Sequence, residues 1–523
     1  MNPDHLKTIS WKNPLIYIVA LLIILPVFLS DYLPFQDYPD WLYQATALAH
    51  YHSGDNAYSQ YLTVKPYLVP NSASTIIMAL LIIMVNPILA GKLTLVLWLL
   101  AMPLCYLYFY KAFQPKGNIL QFAPLLLLYN IRFYHGNLSY LLCLPIVFFL
   151  LGYYKRRIDN FGWLPMNNMM ILLILLFIFH FIGFIICLLG IAVLSVEKFK
   201  FHARNHILPA IAIAPSLVLA IIYVTNQTPH GDELAFILKL SLLGKLASIF
   251  ASWAVAFNFD YEPNSVSILI KGSLNILFVG FILYLVANFV VAALNRNIRW
   301  NSIALLGLAL IAISLVMPNM FYYITDAGSR LIWIGVLLIM PIFNTDKYAI
   351  KRNSVIVFGA LLIIITALNS WQIYSKGRQN SKLFEKIDRC LGPKKKPLNI
   401  MGDFIYSHHV STDLFPSKPK DKIIMRIVPG VSSLMRLPYY YYIKYDVPYP
   451  HVFQTSMFES KNYRIPLMIK PFPSPQQIFD GIEEYDYSII VGKKEIIQYF
   501  NNYLAPKSTV ILSDSICSVL KIL

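Results

Sequence analysis

The sequence predicts a polytopic α-helical membrane protein of about 11 spans with a C-terminal α/β domain outside the membrane. Three observations lead there. The 523 residues are 57% hydrophobic and only 13% charged, with a mean hydropathy of +0.58, a balance that makes a bilayer the main solvent. Apolar stretches long enough to cross recur from residue 14 to residue 371. Beyond about Lys376 the polar fraction rises and the apolar runs shrink to strand length.

The spans fall near 14–30, 93–110, 118–131, 137–153, 168–195, 206–224, 266–294, 301–318, 330–343 and 353–371. The first, Leu15 to Leu29, is preceded by Lys7 and Lys12. It is followed by Ser30-Asp31-Tyr32-Leu33-Pro34, which lacks a small-residue cleavage pattern, so a retained signal-anchor helix is expected. If the further apolar segment 74–89 crossed, Lys111, Lys116, Lys155, Arg156, Arg157, Lys198, Lys200 and Arg204 would move outside, against the positive-inside rule. It is therefore expected to lie at, or dip into, the outer face. Segment 168–195 has basic clusters on both sides, at 155–157 and 198–204. Both stay cytoplasmic if it goes out and back as two short helices joined at Phe179-His180-Phe181-Ile182-Gly183, which leaves His180 at the outer face. With the N-terminus inside, 15 of the 22 Lys and Arg in residues 1–371 then fall inside, and 9 of the 13 Asp and Glu fall outside.

The predicted division is a membrane domain over 1–371, with a first outer loop at 31–73, and a soluble outer domain over 372–523. That tail holds 21 Lys and Arg against 13 Asp and Glu. Such a charge suits anionic lipid head groups or polyanionic glycans, or is an ordinary basic surface. Strands are expected at 397–401, 422–428, 487–491 and 509–512, with helices at 475–479 and 494–500. The run Tyr439-Tyr440-Tyr441-Tyr442 is expected in strands covering a core. Cys105, Cys143 and Cys187 lie singly in apolar spans, where a cysteine acts as a small hydrophobe. Cys390 and Cys517 fall in the polar tail and either pair or stay reduced and buried.

No internal repeat, P-loop, GxGxxG or HExxH occurs, nor a pair of Gly/Pro-broken helices at matching places in two halves. Chemistry is therefore sought in the outer loops. Asp37 and Asp40 follow directly on the first span, and carboxylates beside hydrocarbon are expensive enough to suggest function. Asp40 could equally cap a helix beginning near Trp41, with Pro39 before it and Asp37 solvated. His50, His52 and Asp55 form at most a loose metal set whose spacing fits no recognised site.

Several features together resemble the GT-C superfamily of polyprenyl-phosphate-sugar-dependent glycosyltransferases. They are a signal-anchor helix, an acidic motif opening the first outer loop, an amphipathic interfacial helix over Tyr38 to Tyr51, and Lys65-Pro66 followed by a dipping helix. Tyr134-His135-Gly136-Asn137-Leu138-Ser139-Tyr140 leading into a Leu-rich span, and Arg330 opening a late span, complete the pattern. The protein O-mannosyltransferases and the lipid A aminoarabinose transferases are similar in architecture. The likeness covers roughly residues 10–371.

The resemblance implies sugar transfer from a polyprenyl-phosphate-linked donor to a hydroxyl of a glycan, lipid or protein acceptor. Phosphate leaves readily, so such a displacement needs a base for the acceptor and cations for the phosphate. Inversion needs one carboxylate. Asp37 matches the family's first acid and would be the base, with Asp40 as its helper. Lys65 matches a loop lysine on the lipid phosphate, the alternative being a snorkelling interfacial lysine. Arg330 suits bidentate phosphate contact or interfacial anchoring. Arg132, His135 and His180 are placed at the outer face, where each could bind phosphate or sugar, while a lone histidine at a helix end is often satisfied locally. No cofactor is expected and a divalent metal is left open. Membrane lipids are partners and nucleic acid is not. Location in a bacterial inner membrane, N-terminus cytoplasmic, is expected. The competing functions are a lipid-linked glycan ligase or polymerase and a lipid-glycan flippase or transporter.

Overall fold

The computed structural model describes residues 14–51, 58–200, 202–226, 253–257, 266–294, 301–317, 320–321, 324–325, 327–343, 352–391, 430–431, 439–445, 457–460, 487–491, 494–514 and 517–523. The first apolar stretch forms α1 (Pro14–Ile24), and Pro26 converts its continuation into a 3-10 turn ending at Phe28. The expected interfacial helix is α2 (Tyr38–Ala49), with Pro39 in the first turn, where its missing N–H leaves no helical bond unmade. Next comes α3 (Ala73–Ile82). Ten residues of helix reach about 15 Å, half the hydrocarbon thickness, so α3 is too short to cross. Leu80, Ile83 and Met84 at its tip are 60%, 72% and 80% exposed, as a segment dipping into lipid requires.

The membrane helices that follow are α4 (Pro87–Phe113), α5 (Leu138–Arg157), α6 (Trp163–Phe179), α7 (Phe181–Phe199) and α8 (Ile207–Thr225). After them come α9 (Val266–Leu294), α10 (Ser302–Val316), α11 (Ala327–Ile339) and α12 (Arg352–Leu391). Among the described residues, α4, α5, α7, α8 and α12 are each long and apolar enough to cross a membrane alone, and the remaining predicted spans are shorter apolar helices. The span expected at 118–131 is built from short pieces, Ile119–Phe122, Ala123–Leu127 and Ile131–Tyr134. Leu21, Leu164, Ile221 and Val357 are among the large apolar side chains exposed around the bundle, the surface a bilayer covers.

The long segment 168–195 does fold back on itself. The chain is extended at His180 (φ −165, ψ 127), which ends α6 and begins α7. At the far end of that hairpin Lys155 Nζ lies 3.9 Å from Glu197 Oε1, Lys198 pairs with Asp159, and the Ser302 amide donates to Glu197 Oε2 at 3.0 Å. Both basic clusters therefore share one end of the bundle with the start of α10.

The 40 residues of α12 extend about 60 Å, twice the hydrocarbon thickness, so the helix leaves the membrane and carries the tail. The boundary expected at 371/372 falls inside it. In the tail, β7 (Tyr487–Val491), β9 (Cys517–Ile522) and β8 (Ser508–Ser513) form an antiparallel sheet in the order 7-9-8, with α14 (Lys494–Leu504) beside it. Three of these match expected elements. The central strand β9 was not expected, because burial on both faces erases the alternation that marks a strand. The tyrosine run corrects the strand expectation: Tyr439–Tyr445 is a helix, α13. All four tyrosines are buried because α13 is enclosed, packing on α2 through Tyr43 and reaching Tyr32 beneath α12. The expected elements at 397–401, 422–428 and 475–479 lie outside the described residues.

The tail also reaches the first outer loop. β1 (Leu62–Val64) pairs antiparallel with β6 (Phe458–Ser460), and β2 (Ala256–Phe257) pairs parallel with β5 (Gly430–Val431), while β3 (Met320–Phe321) and β4 (Ile324–Thr325) form a small antiparallel pair before α11.

Candidate active site

The site forms at the end of the bundle opposite the basic clusters. Asn130 caps the short helix Ile131–Tyr134, its Oδ1 accepting from the amides of Arg132 (2.7 Å) and Phe133 (3.2 Å). The turn that follows receives the acidic loop: the Gln36 amide donates to Tyr134 O and the Asp37 amide to His135 O, both at 3.0 Å. Gly136 makes the fit possible. Its φ is +71, and a Cβ there would stand 2.5 Å from the Tyr38 amide nitrogen, so a side chain is refused both by the backbone angle and by the space. Asn137 Nδ2 reaches Asp37 Oδ2 across a long 3.5 Å contact.

Tyr38 anchors the other side of Asp37. Its hydroxyl enters a notch at Gly91 on α4, where a Cβ would lie 2.1 Å from the phenol oxygen. Burial pushes that phenol well above its ordinary pKa, so it stays neutral.

The two acids differ. Asp37 occupies the residue before α2 yet makes no side-chain cap bond, and at 9% exposure it sits at the rim of the buried interior. Asp40 lies inside the first turn at 0% exposure, its Oδ2 accepting from Gln44 Nε2 at 3.1 Å. The helix starts at Tyr38, three residues earlier than the capping alternative for Asp40 requires.

The cationic residues assemble in two pairs. Arg132, 2% exposed, has Nη1 at 3.3 Å from His135 Nδ1. Arg330, in the first turn of α11, has Nη1 at 3.2 Å from His180 Nε2, although 150 residues separate them. Tyr140 packs on the second pair. Its hydroxyl donates to Arg330 O at 2.6 Å, its ring lies 5.6 Å from the Arg330 guanidinium and 5.3 Å from the His180 ring, and both arginines act on it electrostatically.

The His180 pair has a specific consequence. His180 Nδ1 accepts the Ile182 amide at 3.2 Å, capping α7. A neutral imidazole has one acceptor nitrogen and a guanidinium only donates, so the Ile182 amide and Arg330 Nη1 compete for it and one of these donors is left for another acceptor. Burial and the Arg330 guanidinium hold His180 well below its ordinary pKa, which keeps the ring neutral. The contact sits at the N-termini of α7 and α11, whose dipoles favour negative charge.

Lys65 is set by other elements: it follows β1, and its amide donates to Met457 O at 2.8 Å, beside β6. Sequence reasoning missed Asn137, Tyr140 and Tyr38 as supports of the site. All three lie within the motifs that carry the acids and the glycine turn, and spacing along the chain gives no sign of which side chain crosses to a distant helix. His52 and Asp55 lie outside the described residues.

The fold superposes on the crystal structure of ArnT from Cupriavidus metallidurans bound to undecaprenyl phosphate, with a TM-score of 0.57 over 97% of this chain and 96% of that one. Only 10% of residues are identical, so the likeness is one of fold. No known protein family matches the chain by sequence, and no curated protein does.

Proposed function

We propose that this chain is an integral membrane glycosyltransferase that moves a sugar from a polyprenyl-phosphate donor to an acceptor hydroxyl of a glycan, lipid or protein on the outer face of a bacterial inner membrane. The observation that supports this is that two arginine–histidine pairs, Arg330 with His180 and Arg132 with His135, lie at the same end of the bundle as a rim carboxylate, Asp37, whose amide donates to the His135 carbonyl. Arg330, His180 and Arg132 would hold the donor phosphate, with Lys65 from the first loop and His135 positioning Arg132. Asp37 removes the acceptor proton as the hydroxyl oxygen attacks the anomeric carbon. The carbon–oxygen bond to phosphate breaks on the opposite face, with inversion, and the negative charge gained by the departing phosphate meets donors already in place. Asp40, held by Gln44, fixes the first turn of α2 and so orients Asp37.

Binding of labelled polyprenyl phosphate to the detergent-solubilised protein tests the phosphate site. Arg330→Ala and Lys65→Ala should each weaken binding by roughly 1.5–3 kcal/mol, the worth of a hydrogen bond to a charged group. Undiminished affinity in both variants would place the phosphate elsewhere and leave these side chains as interfacial anchors.

A further inference from the structure

Two cysteines of the tail, far apart in sequence, are brought to one place by a chain of contacts that does not involve their sulfur atoms. Lys386 and Cys390 lie one turn apart on α12, so they share a face of that helix. Lys386 Nζ pairs with Asp514 Oδ2. Asp514 in turn precedes β9, and its amide donates to the carbonyl of Cys517 at 2.7 Å. The salt bridge therefore aligns the helix face that carries Cys390 with the strand end that carries Cys517. The environment of the Cys517 thiol agrees: burial dominates and raises its pKa, Asp514 and Cys390 raise it further, and Lys386 opposes them. Asp514, Cys390 and Lys386 thus all act on this one sulfur.

We infer that Cys390 and Cys517 form a disulfide that clamps the C-terminal sheet to the extramembrane part of α12. The inference rests on the extracytoplasmic placement of the tail, where an oxidant is at hand. The two thiols have distinct roles in making the bond. Cys390 is partly exposed and can meet a partner, while Cys517 is fully buried. The Cys390 thiolate attacks the disulfide of an extracytoplasmic thiol oxidoreductase, forming a mixed disulfide and releasing one of its thiols. The Cys517 thiolate then displaces the second. The pair loses two protons and two electrons, and the oxidoreductase is reduced to its dithiol.

The bond closes a loop from residue 390 to residue 517, which contains β5, α13 and β6. These are the tail elements that touch the first outer loop and β2. The clamp would therefore steady the strap over α2 and Lys65 from the tail's far end.

The test uses the full-length protein in its native membrane. Cells are quenched with acid, free thiols are alkylated under denaturing conditions, and the digest is mapped with and without reduction. The expected result is one linked pair of peptides holding Cys390 and Cys517, absent after reduction and absent from a Cys390→Ser variant. The melting temperature of the purified wild type should fall on reduction to that of Cys390→Ser, and reductant should leave the variant unmoved. Recovery of both cysteines as alkylated free thiols would overturn the inference. A membrane-impermeant label at Asn502→Cys, applied to intact cells in the Cys390→Ser background, separates the causes of such a failure. Labelling would show that the tail is outside and the pairing wrong, whereas protection would show that the topology itself is wrong.

Discussion

At the scale of single residues, chemistry in this site depends on which polar groups are left facing the rim. Asp40 and Asp37 differ by three positions and by their surroundings: one is sealed in a helix turn with Gln44, the other stands at the edge between Asn137 and the Tyr38 anchor. Asp40→Asn should therefore cost stability more than turnover, and Asp37→Asn the reverse. His180 offers a test through pH. Its native pKa is depressed below the ordinary value near 6.5, so the unfolded chain binds the proton more readily, and stability is full above that range and lost as pH falls through it. The expected loss is at most about 1.4 kcal/mol per pH unit for this one group. Thermal melting of the detergent-solubilised protein between pH 7.5 and 5 should reveal it, and His180→Asn, which keeps a capping acceptor, should flatten the curve. An unchanged slope in that variant would mean that other groups carry the acid sensitivity. Asp37, Asp40, Arg132, His135, His180 and Arg330 stood out in the sequence as a group, because burying charge near lipid is costly, and the structure gathers them at one end of the bundle. Their pairing was not. Arg330 meets His180 only after the topology has brought two distant helix starts together.

At the scale of elements, the position of α2 is set by two glycines that it meets at Tyr38. Gly136 lets the backbone approach and Gly91 accepts the ring hydroxyl. Gly91→Ala should force the ring outward, at a cost of about 1–3 kcal/mol for an overpacked contact, and should lower transfer by displacing the neighbouring Asp37. Adding Tyr38→Phe removes the atom that the new methyl strikes first and should recover much of both losses. A double variant no better than Gly91→Ala alone would remove Tyr38 as the element that positions Asp37. The hairpin of α6 and α7, the short α3 and the extent of α2 were all foreseeable, since each follows from charge sides, length or helix period. The broken stretch from Ile119 to Tyr134 and the central strand β9 were not, because neither apolarity nor alternation distinguishes a segmented helix or a strand buried on both faces. The tyrosine helix α13 misled for a related reason: its aromatic residues favour strands, and only enclosure by α2 and α12 makes a helix of them.

At the scale of the whole molecule, one end of the bundle gathers the basic clusters and the other gathers the paired cations and the rim carboxylate. The positive-inside rule assigns the first end to the cytoplasm. A membrane-impermeant thiol reagent on intact cells should leave Arg156→Cys unlabelled, and its labelling from outside would invert the topology and detach the site from the outer face. The deciding measurement is release of free polyprenyl phosphate from a labelled polyprenyl-phosphate sugar, in detergent with acceptor present, by wild type and by Asp37→Asn. The substitution keeps the size and hydrogen-bonding shape of the side chain while removing the base, so donor binding should persist and transfer should fall roughly 100-fold or more, the usual worth of a general base. Wild-type turnover by Asp37→Asn would contradict the assignment and leave the acidic loop a structural feature of an outer face whose chemistry lies in other residues.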